Sequence, residues 1–258
     1  MSKMPKIAFG IDIGGSGIKG APVDLPSGEF ADSRVRIPTP ELSTPDAVAD
    51  VVADLVGEFN LDKGTPIGVA FPAPINHGVV PSVANLDPSW AGVNIETLLS
   101  TKLNRKIHAL NDADAAGYGE AHYGAAKDQL GKVLLVTLGT GIGTALIVDG
   151  VLVTNTEFGH LEIDGFDAET RAADSARTRE DLSWEDWAVR LQRYFSHVEE
   201  LLSPDLIVVG GGVSKHHDNF LPLLKLKAEI IPATLRNAAG ISGAAAFAAT
   251  QDGHKLHS

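Results

Sequence analysis

Short apolar runs, separated by glycine-rich turns and by amphipathic segments, make up most of this chain. Apolar residues recur every three or four positions after Thr44 and after Ser183, which predicts helices capped by those hydroxyls. Alternation of strands and helices is typical of α/β proteins. Apolar runs bounded by turn residues indicate buried strands, and five such runs cover residues 7–13, 67–71, 107–110, 133–138 and 206–209.

The first apolar run leads into a glycine-rich turn at residues 14–20. Successive backbone N–H groups in such a turn form a concavity that attracts anions. Residues 15–20 also match the dinucleotide-binding pattern G-x-G-x-x-G, but that site requires a helix directly after the turn. Because Pro22 and Pro26 oppose a helix, the sequence predicts a β-hairpin here instead.

A second stretch repeats this arrangement. The run at 133–138 ends in the turn 139–143, and Asp149-Gly150 then separates two further apolar runs. Asp-Gly between apolar runs is a strong hairpin signal. The shared order of strand, G-[ST]-G-I and hairpin suggests two related lobes, each with a phosphate-sized turn. Two such turns facing each other would form a cleft, with a nucleotide-type ligand across the strand ends.

Composition and charge limit the possible partners. The chain has 258 residues, a formal net charge of −12 and no cysteine. An acidic surface argues against binding to nucleic acid and to anionic membranes, and no apolar run is long enough to span a bilayer. The absence of cysteine excludes disulfides and Cys-ligated zinc. The N-terminal apolar stretch is too short for a signal peptide, so we expect a cytoplasmic protein.

Three further segments have distinct patterns. Residues 154–183 are polar, which predicts a long loop. The polar loop at 75–95, which includes Asn85, is compatible with polyol binding or with an ordinary surface loop. The helix after Ser183 predicts core packing or a subunit interface, and so a possible homodimer, because its apolar face is aromatic: Trp184, Trp187, Tyr194 and Phe195.

Five motifs occur in order along the chain: Asp12-Ile13-Gly14-Gly15-Ser16-Gly17-Ile18-Lys19, Asn111-Asp112, Leu138-Gly139-Thr140-Gly141-Ile142-Gly143, Glu157-Phe158-Gly159-His160 and Val209-Gly210-Gly211-Gly212. Together they resemble those of the ROK family of sugar kinases and repressors within the hexokinase/actin-like superfamily. The resemblance covers nearly the whole chain and implies an α/β, actin-like (ribonuclease H-like) fold with a cleft between two lobes. Residues 1–112 plus 239–258 would form the smaller lobe and 113–238 the larger.

The resemblance implies roles for individual residues. Asp112 would be the catalytic base, although residue types alone also allow Asn111-Asp112 to be a helix cap. Asp12 would hold Mg²⁺ directly or through water, although residue types alone also allow a buried hydrogen-bonded carboxylate. The sugar would be bound by Asn85, Asn111, Asp112, Glu157, His160 and Glu169. The donor phosphates would lie against Gly14, Gly15, Ser16, Gly17, Lys19, Gly139, Thr140, Gly141, Gly210, Gly211 and Gly212.

The chain departs from the family pattern after Glu-x-Gly-His. Most family members carry a cysteine-rich zinc motif there, whose last part supplies another sugar-binding glutamate. Since this chain has no cysteine, we expect no zinc, and Glu169 or Glu162 could take the place of that glutamate. The first strand begins near Lys6, so we also expect no DNA-binding helix-turn-helix of the repressor type.

Within the family, the chain looks most like the polyphosphate/ATP-dependent glucokinases. That likeness implies phosphorylation of the 6-hydroxyl of glucose, and also of mannose, with Asp112 taking the hydroxyl proton. Phosphoryl transfer is mostly positioning and charge neutralisation, supplied by the turn amides, Lys19 and Mg²⁺. The alternatives are a strictly ATP-dependent kinase for another hexose and a non-catalytic sugar sensor.

A polyphosphate donor would need a basic track leading from the cleft. The acidic residues that alternate with the candidate arginines favour a simpler interpretation, in which the arginines are paired on a solvated face. The candidates are Arg171, Arg177, Arg179, Arg190 and Arg193.

Overall fold

The computed structural model describes residues 6–83, 86–254 and 256, which form twelve β-strands and seven α-helices. The strands are β1 (Ile7–Gly14), β2 (Gly17–Asp24), β3 (Val35–Ile37), β4 (Ile67–Phe71), β5 (Ile107–Asn111), β6 (Lys132–Leu138), β7 (Ile142–Val148), β8 (Val151–Val153), β9 (Glu162–Ile163), β10 (Phe166–Asp167), β11 (Leu206–Gly210) and β12 (Glu229–Pro232). The helices are α1 (Pro45–Gly57), α2 (Ile95–Leu103), α3 (Asp112–Tyr123), α4 (Glu169–Ala172), α5 (Asp174–Arg179), α6 (Trp184–Leu202) and α7 (Ala239–Gln251).

The first five strands form one mixed sheet in the order β3-β2-β1-β4-β5. β1 and β2 pair antiparallel with Gly14 opposite Gly17, which confirms the predicted hairpin and rules out the dinucleotide-binding arrangement. β4 and β5 run parallel to β1 on its other side. The carboxyl ends of β1, β4 and β5 therefore lie along the same edge of the sheet.

The second five-stranded sheet has the order β12-β11-β6-β7-β8, which is the order of the first sheet read from the other end. β6 and β7 form the corresponding hairpin, and β11 and β12 run parallel to β6. The β7–β8 hairpin turns at Asp149 and Gly150, with φ of 49° and 79°, as type I′ turns require. The two related halves expected from the repeated glycine turns are confirmed.

α3 and α7 pack against each other and connect the two sheets. α7 covers β1 and β4, whereas α3 covers β6 and β7. The helices approach so closely that a Cβ at Gly243 would overlap the carbonyl of Ala115, and one at Gly119 would lie 2.6 Å from the Ala239 oxygen. Small residues are required at this crossing because the two backbones are in contact there.

The segment 154–183, predicted as a long loop, is instead divided among β9, β10, α4 and α5. The apolar side chains that this segment packs into the core are small, so a search for large apolar residues does not detect them. Ala168, Ala172 and Ala173 are buried in the core that contains Trp187 and Phe195. The loop prediction was wrong because short helical turns need only a few alanines to pack.

The aromatic face of α6 lies in the core of the second half, which confirms the predicted core packing, and a homodimer stays a prediction. Trp187, Tyr194 and Phe195 are at most 1% exposed. Trp184 stacks on Phe220 with ring centroids 6.0 Å apart.

Within the described chain, no helix combines the length and hydrophobicity that crossing a bilayer needs.

Candidate active site

The end of β5 positions the candidate catalytic base. Asn111 is the last residue of β5, and its side-chain oxygen accepts hydrogen bonds from the backbone N–H groups of Ala113 (2.8 Å) and Asp114 (3.2 Å). Asn111 therefore caps α3, as Asn commonly does. Asp112 becomes the first residue of the helix, beside the edge at which β1 and β4 also end.

Asp112 is open to solvent, yet the surrounding protein disfavours its charged form. Desolvation, together with the charges of Asp12 and Glu157, raises the pKa of Asp112 to about 6, against a backbone hydrogen bond from Ala113 that lowers it. A carboxylate with a pKa near neutrality is a better proton acceptor than an ordinary aspartate while staying largely ionised at pH 7.

The first glycine turn is braced from outside and leaves its tip exposed. Thr39 Oγ1 donates to the Gly14 carbonyl oxygen at 2.5 Å, and an Arg36 Nη2 group donates to the Ser16 carbonyl oxygen at 2.6 Å. Gly15 and Ser16 are exposed. With two carbonyls of the turn occupied in this way, the exposed backbone at its tip is available to an anion.

Asp12 and Lys19 face each other across the β1–β2 hairpin. Lys19 Nζ lies 3.0 Å from Asp12 Oδ2, and both side chains are partly buried. The sequence assigned one residue to the metal and the other to the donor phosphates. The structure places them together at a single point beside the first glycine turn.

The second and third glycine turns are neighbours in the second sheet. β6 and β11 are parallel with Thr137 opposite Gly210, so both turns follow the same sheet edge. Gly211 has φ of 84°, and a Cβ there would overlap the backbone of Leu138. Ser175 Oγ donates to the Thr140 carbonyl oxygen at 2.6 Å, so α5 supports the second turn.

The Glu-x-Gly-His motif forms a 3-10 turn, Phe158–His160, on the first residues of β7. A Cβ at Gly159 would overlap the Ile142 carbonyl, so glycine is needed for this contact. Phe158 N–H donates to Thr144 Oγ1 at 3.1 Å, which holds the turn on β7. The motif is thereby packed beside the second glycine turn.

The surroundings raise the pKa of both Glu157 and His160. Burial raises the pKa of Glu157, Glu169 raises it further, and His160 lowers it. His160 Nδ1 lies 2.8 Å from Asp167 Oδ2, and this hydrogen bond raises the pKa of His160. With Nδ1 engaged by the carboxylate, Nε2 is the ring atom left for a ligand.

The structure distinguishes the two glutamates between which the sequence could not decide. Glu169 Oε2 accepts a hydrogen bond from Ile142 N–H at 2.9 Å, lies close over Gly141, and is near enough to Glu157 and His160 to shift their pKa values. Glu162 is an exposed residue of β9 paired with Asp167. Only Glu169 joins the second glycine turn to the Glu-x-Gly-His motif.

Asp114 and Asn155 belong to this region and were not singled out from the sequence. Asp114 is fully buried, its Oδ2 accepts from Asn155 N–H at 2.7 Å, and its Oδ1 has no hydrogen-bond partner among the described residues. Burial, together with the charges of Glu157 and Asp112, raises the pKa of Asp114 to about 7. In the sequence Asp114 looks like an ordinary acidic residue in the first turn of a helix.

Asn155 links the two halves of the molecule. Its side-chain oxygen accepts from Ile75 N–H at 2.8 Å, and its side-chain nitrogen donates to the Ile75 carbonyl oxygen at 2.9 Å. Its φ of 58° lies in the left-handed region, which Asn tolerates better than most residues. A cavity of about 290 Å³ lies here, lined in part by Asn111, Asp114 and Asn155.

Most of the arginines proposed for a basic track are already paired. Arg179 and Arg190 both bind Glu180, at 2.9 and 2.5 Å, and Arg171 lies over the Phe166 ring at 3.6 Å. Arg177 binds Asp174 and Arg193 binds Asp164. The simpler interpretation, that acidic neighbours pair these arginines, is confirmed. Asn85, predicted to contact sugar, lies outside the described residues.

Comparison with known proteins identifies the family. Residues 8–177 match the ROK family, and this chain belongs to that family. It is 46% identical over 238 residues to the polyphosphate glucokinase of Mycobacterium tuberculosis, covering 92% of this chain and 89% of that protein.

Two solved structures agree with the fold. The inorganic polyphosphate/ATP-glucomannokinase from Arthrobacter sp. strain KM is 54% identical, with a TM-score of 0.90 over 96% of this chain and 100% of that chain. A ROK family glucokinase from Streptomyces griseus, in complex with glucose and AMPPNP, has a TM-score of 0.78 at 21% identity over 95% of this chain and 99% of that chain. The predicted two-lobed, hexokinase-like fold is confirmed.

Proposed function

We propose that this protein is a glucokinase that transfers a phosphoryl group from inorganic polyphosphate or ATP to the 6-hydroxyl of glucose, and also accepts mannose. Its relatives at 46% and 54% identity are a polyphosphate glucokinase and a polyphosphate/ATP-glucomannokinase. The cytoplasmic location expected from the sequence remains a prediction.

The observation that carries the proposal is the position of Asp112 between two groups of residues. Its pKa responds to the charge of Asp12, beside the first glycine turn, and to that of Glu157, in the Glu-x-Gly-His motif. A base that accepts the hydroxyl proton must lie between the acceptor and the donor phosphate. The influence of both groups on Asp112 supports this role.

On the acceptor side, Asn111, Glu157, His160 and Glu169 would hold the sugar hydroxyls. Carboxylates accept hydrogen bonds from hydroxyls, and His160 Nε2 supplies a further polar atom. A site that pairs each hydroxyl discriminates strongly against sugars that lack one, because its own groups are then left unpaired.

On the donor side, the three glycine turns and Lys19 would neutralise the phosphates. The residues involved are Gly14, Gly15, Ser16, Gly17, Gly139, Thr140, Gly141, Gly210, Gly211 and Gly212. As the 6-oxygen attacks, its proton passes to Asp112 and the bond from the transferred phosphorus to the leaving phosphate oxygen breaks. The turn amides and Lys19 stabilise the charge on that oxygen.

Mg²⁺ fits this site through Asp12. Magnesium in phosphoryl-transfer sites is usually held by one or two carboxylates together with the substrate phosphates. Asp12 is a partly exposed carboxylate with one oxygen on Lys19, close enough to Asp112 to influence its pKa. When bound, the ion would neutralise charge on the donor phosphates.

We further propose the lobe boundaries expected from the sequence, 1–112 plus 239–258 and 113–238. The packing of α7 on the first sheet and of α3 on the second supports this division. Closure of the lobes over the sugar would exclude water and limit hydrolysis of the donor.

The test is a coupled assay of glucose and mannose, each with polyphosphate and with ATP. We expect turnover with both donors, and a decrease in kcat of about 10²–10⁴ for Asp112→Asn with glucose affinity retained in calorimetry. Wild-type protein that binds glucose but turns over no hexose with either donor would favour the sugar-sensor alternative. Turnover of another hexose with ATP only would favour the strictly ATP-dependent alternative.

A further inference from the structure

Three polar side chains form a row across the first sheet. Asp12 on β1 is opposite Lys19 on β2, and Lys19 is opposite Arg36 on β3. Residues directly opposite each other on neighbouring strands place their side chains on the same face of the sheet. The row therefore begins at the proposed metal-binding carboxylate and ends at β3, the outermost strand.

Arg36 lies over the first glycine turn. The Arg36 Nη2 group donates to the Ser16 carbonyl oxygen at 2.6 Å, and Nε lies 2.5 Å from the position that a Cβ at Gly17 would occupy. Gly17 leaves room for this guanidinium to lie against the turn.

No carboxylate neutralises Arg36 among the described residues, in contrast to four of the five arginines considered for a basic track. The ion pairs of this region use Arg177, Arg179, Arg190 and Arg193, and Lys19 is paired with Asp12. A guanidinium has five N–H donors in a planar arrangement that matches phosphate oxygens. The Ser16 carbonyl engages one of them.

The position of Arg36 indicates which part of a donor it can reach. Neighbouring strands are about 4.8 Å apart, so Arg36 lies roughly 10 Å along the sheet from Asp12. That separation favours contact with phosphates further along a linear donor than the transferred group. β3 is the edge strand of its sheet in the described part of the chain, so the donor can continue past it.

We propose that Arg36 binds donor phosphates beyond the transferred group, so that a polyphosphate chain leaves the cleft across β1, β2 and β3. This inference rests on the proposed function. ATP ends in a nucleoside after three phosphates, so it has fewer charges that can reach Arg36. Arg36 is then a residue that favours polyphosphate over ATP.

The test compares the two donors in Arg36→Gln at saturating glucose. We expect kcat/KM for long-chain polyphosphate to fall about tenfold, which corresponds to about 1.4 kcal/mol. The fall in kcat/KM for ATP should be distinctly smaller, because ATP loses only the support that Arg36 gives to the first glycine turn. Polyphosphate activity of the variant should also depend less on salt. An equal decrease with both donors, or no decrease with polyphosphate, overturns the inference.

Three further variants complete the design. Arg36→Lys keeps the charge but not the planar group, and we expect an intermediate loss with polyphosphate. Lys63→Gln, at an exposed loop position, controls for net charge and should behave as wild type. Arg179→Gln tests the alternative track, and a polyphosphate defect there but not in Arg36→Gln would also overturn the inference.

A further measurement separates failure of the proposed function from failure of the role inferred for Arg36. If the wild-type enzyme uses ATP but not polyphosphate, polyphosphate is tested as an inhibitor of the ATP reaction. Stronger inhibition of wild type than of Arg36→Gln supports the binding role, and equal inhibition of both contradicts it.

Discussion

At the scale of single residues, the proposed chemistry depends on carboxylates that the fold brings close together. Asp12, Asp112 and Glu157 are far apart in the sequence, yet Asp12 and Glu157 both raise the pKa of Asp112. The pKa of Asp114, in the first turn of α3, is raised by the charges of Glu157 and Asp112. Mutual repulsion of this kind is typical of functional sites and unusual in a structural core.

The raised pKa of Asp112 predicts the acidic limb of the pH profile. The base must be ionised, so kcat/KM for glucose should fall below pH 6, tenfold per pH unit, because the pKa of Asp112 is about 6. Glu157→Gln removes a neighbouring negative charge and should move this limb to lower pH. An acidic limb near pH 4 in the wild-type enzyme would contradict the raised pKa of Asp112.

Glu169 and Glu162 form a matched pair of variants. Glu169→Gln should raise the KM for glucose about tenfold or more, because hydrogen bonds to charged groups contribute about 1.5–3 kcal/mol. Glu162→Gln should leave it unchanged, since Glu162 is exposed on β9. Steady-state kinetics at saturating ATP measures the KM of both variants. Equal effects would show that the contact with Ile142 does not identify which glutamate binds the sugar.

At the scale of elements, short turns align the functional groups more than long helices do. The Phe158–His160 turn lies on the first residues of β7, and α5 supports the turn at Thr140. These contacts require glycine or short hydroxyl side chains at particular places. A change of one methyl group there should therefore alter function more than the same change in α1.

Gly159→Ala tests this statement. Its Cβ would overlap the Ile142 carbonyl, so the turn that carries Glu157 and His160 must move. We expect a loss of about 1–3 kcal/mol in the free energy of unfolding together with weaker glucose binding. Gly57→Ala in α1, where a Cβ meets nothing within 4 Å, should change neither quantity appreciably in denaturation and calorimetry.

At the scale of the whole molecule, two copies of one sheet topology are joined through α3 and α7. Each copy places a glycine turn after its first strand, and the helix pair sets the relative position of the two turns. Asn155 adds a second link through its two hydrogen bonds to Ile75. Movement of the lobes must therefore be accommodated at these two connections.

Two glycines of α7 allow a direct test of the helix crossing. Gly243→Ala would push α7 away from the Ala115 carbonyl, whereas a Cβ at Gly240 meets its nearest atom at 3.9 Å. We expect Gly243→Ala to lower the free energy of unfolding by about 1–3 kcal/mol and to reduce kcat with both donors. Gly240→Ala should keep or slightly raise stability because alanine favours helix. Equal stability of the two variants in urea denaturation would contradict the close approach.

The sequence by itself determined the five strands formed by apolar runs, the two hairpins and their internal repetition, because apolar runs, Asp-Gly and the glycine turns are local signals. It also placed Asp112 at a strand end, through the Asn111-Asp112 pair. It did not indicate β9, β10 or β12. It failed for residues 154–183, where small buried alanines leave no periodic pattern of large side chains.

Only the tertiary structure decided the remainder. It separated Glu169 from Glu162, paired Asp12 with Lys19, and brought Asp114, Asn155 and Arg36 to the site. Each of these depends on contacts between segments far apart in the chain. Burial and hydrogen bonding across such contacts decide whether an acidic or basic residue is paired, shifted in pKa or left available to a ligand, and no local pattern records them.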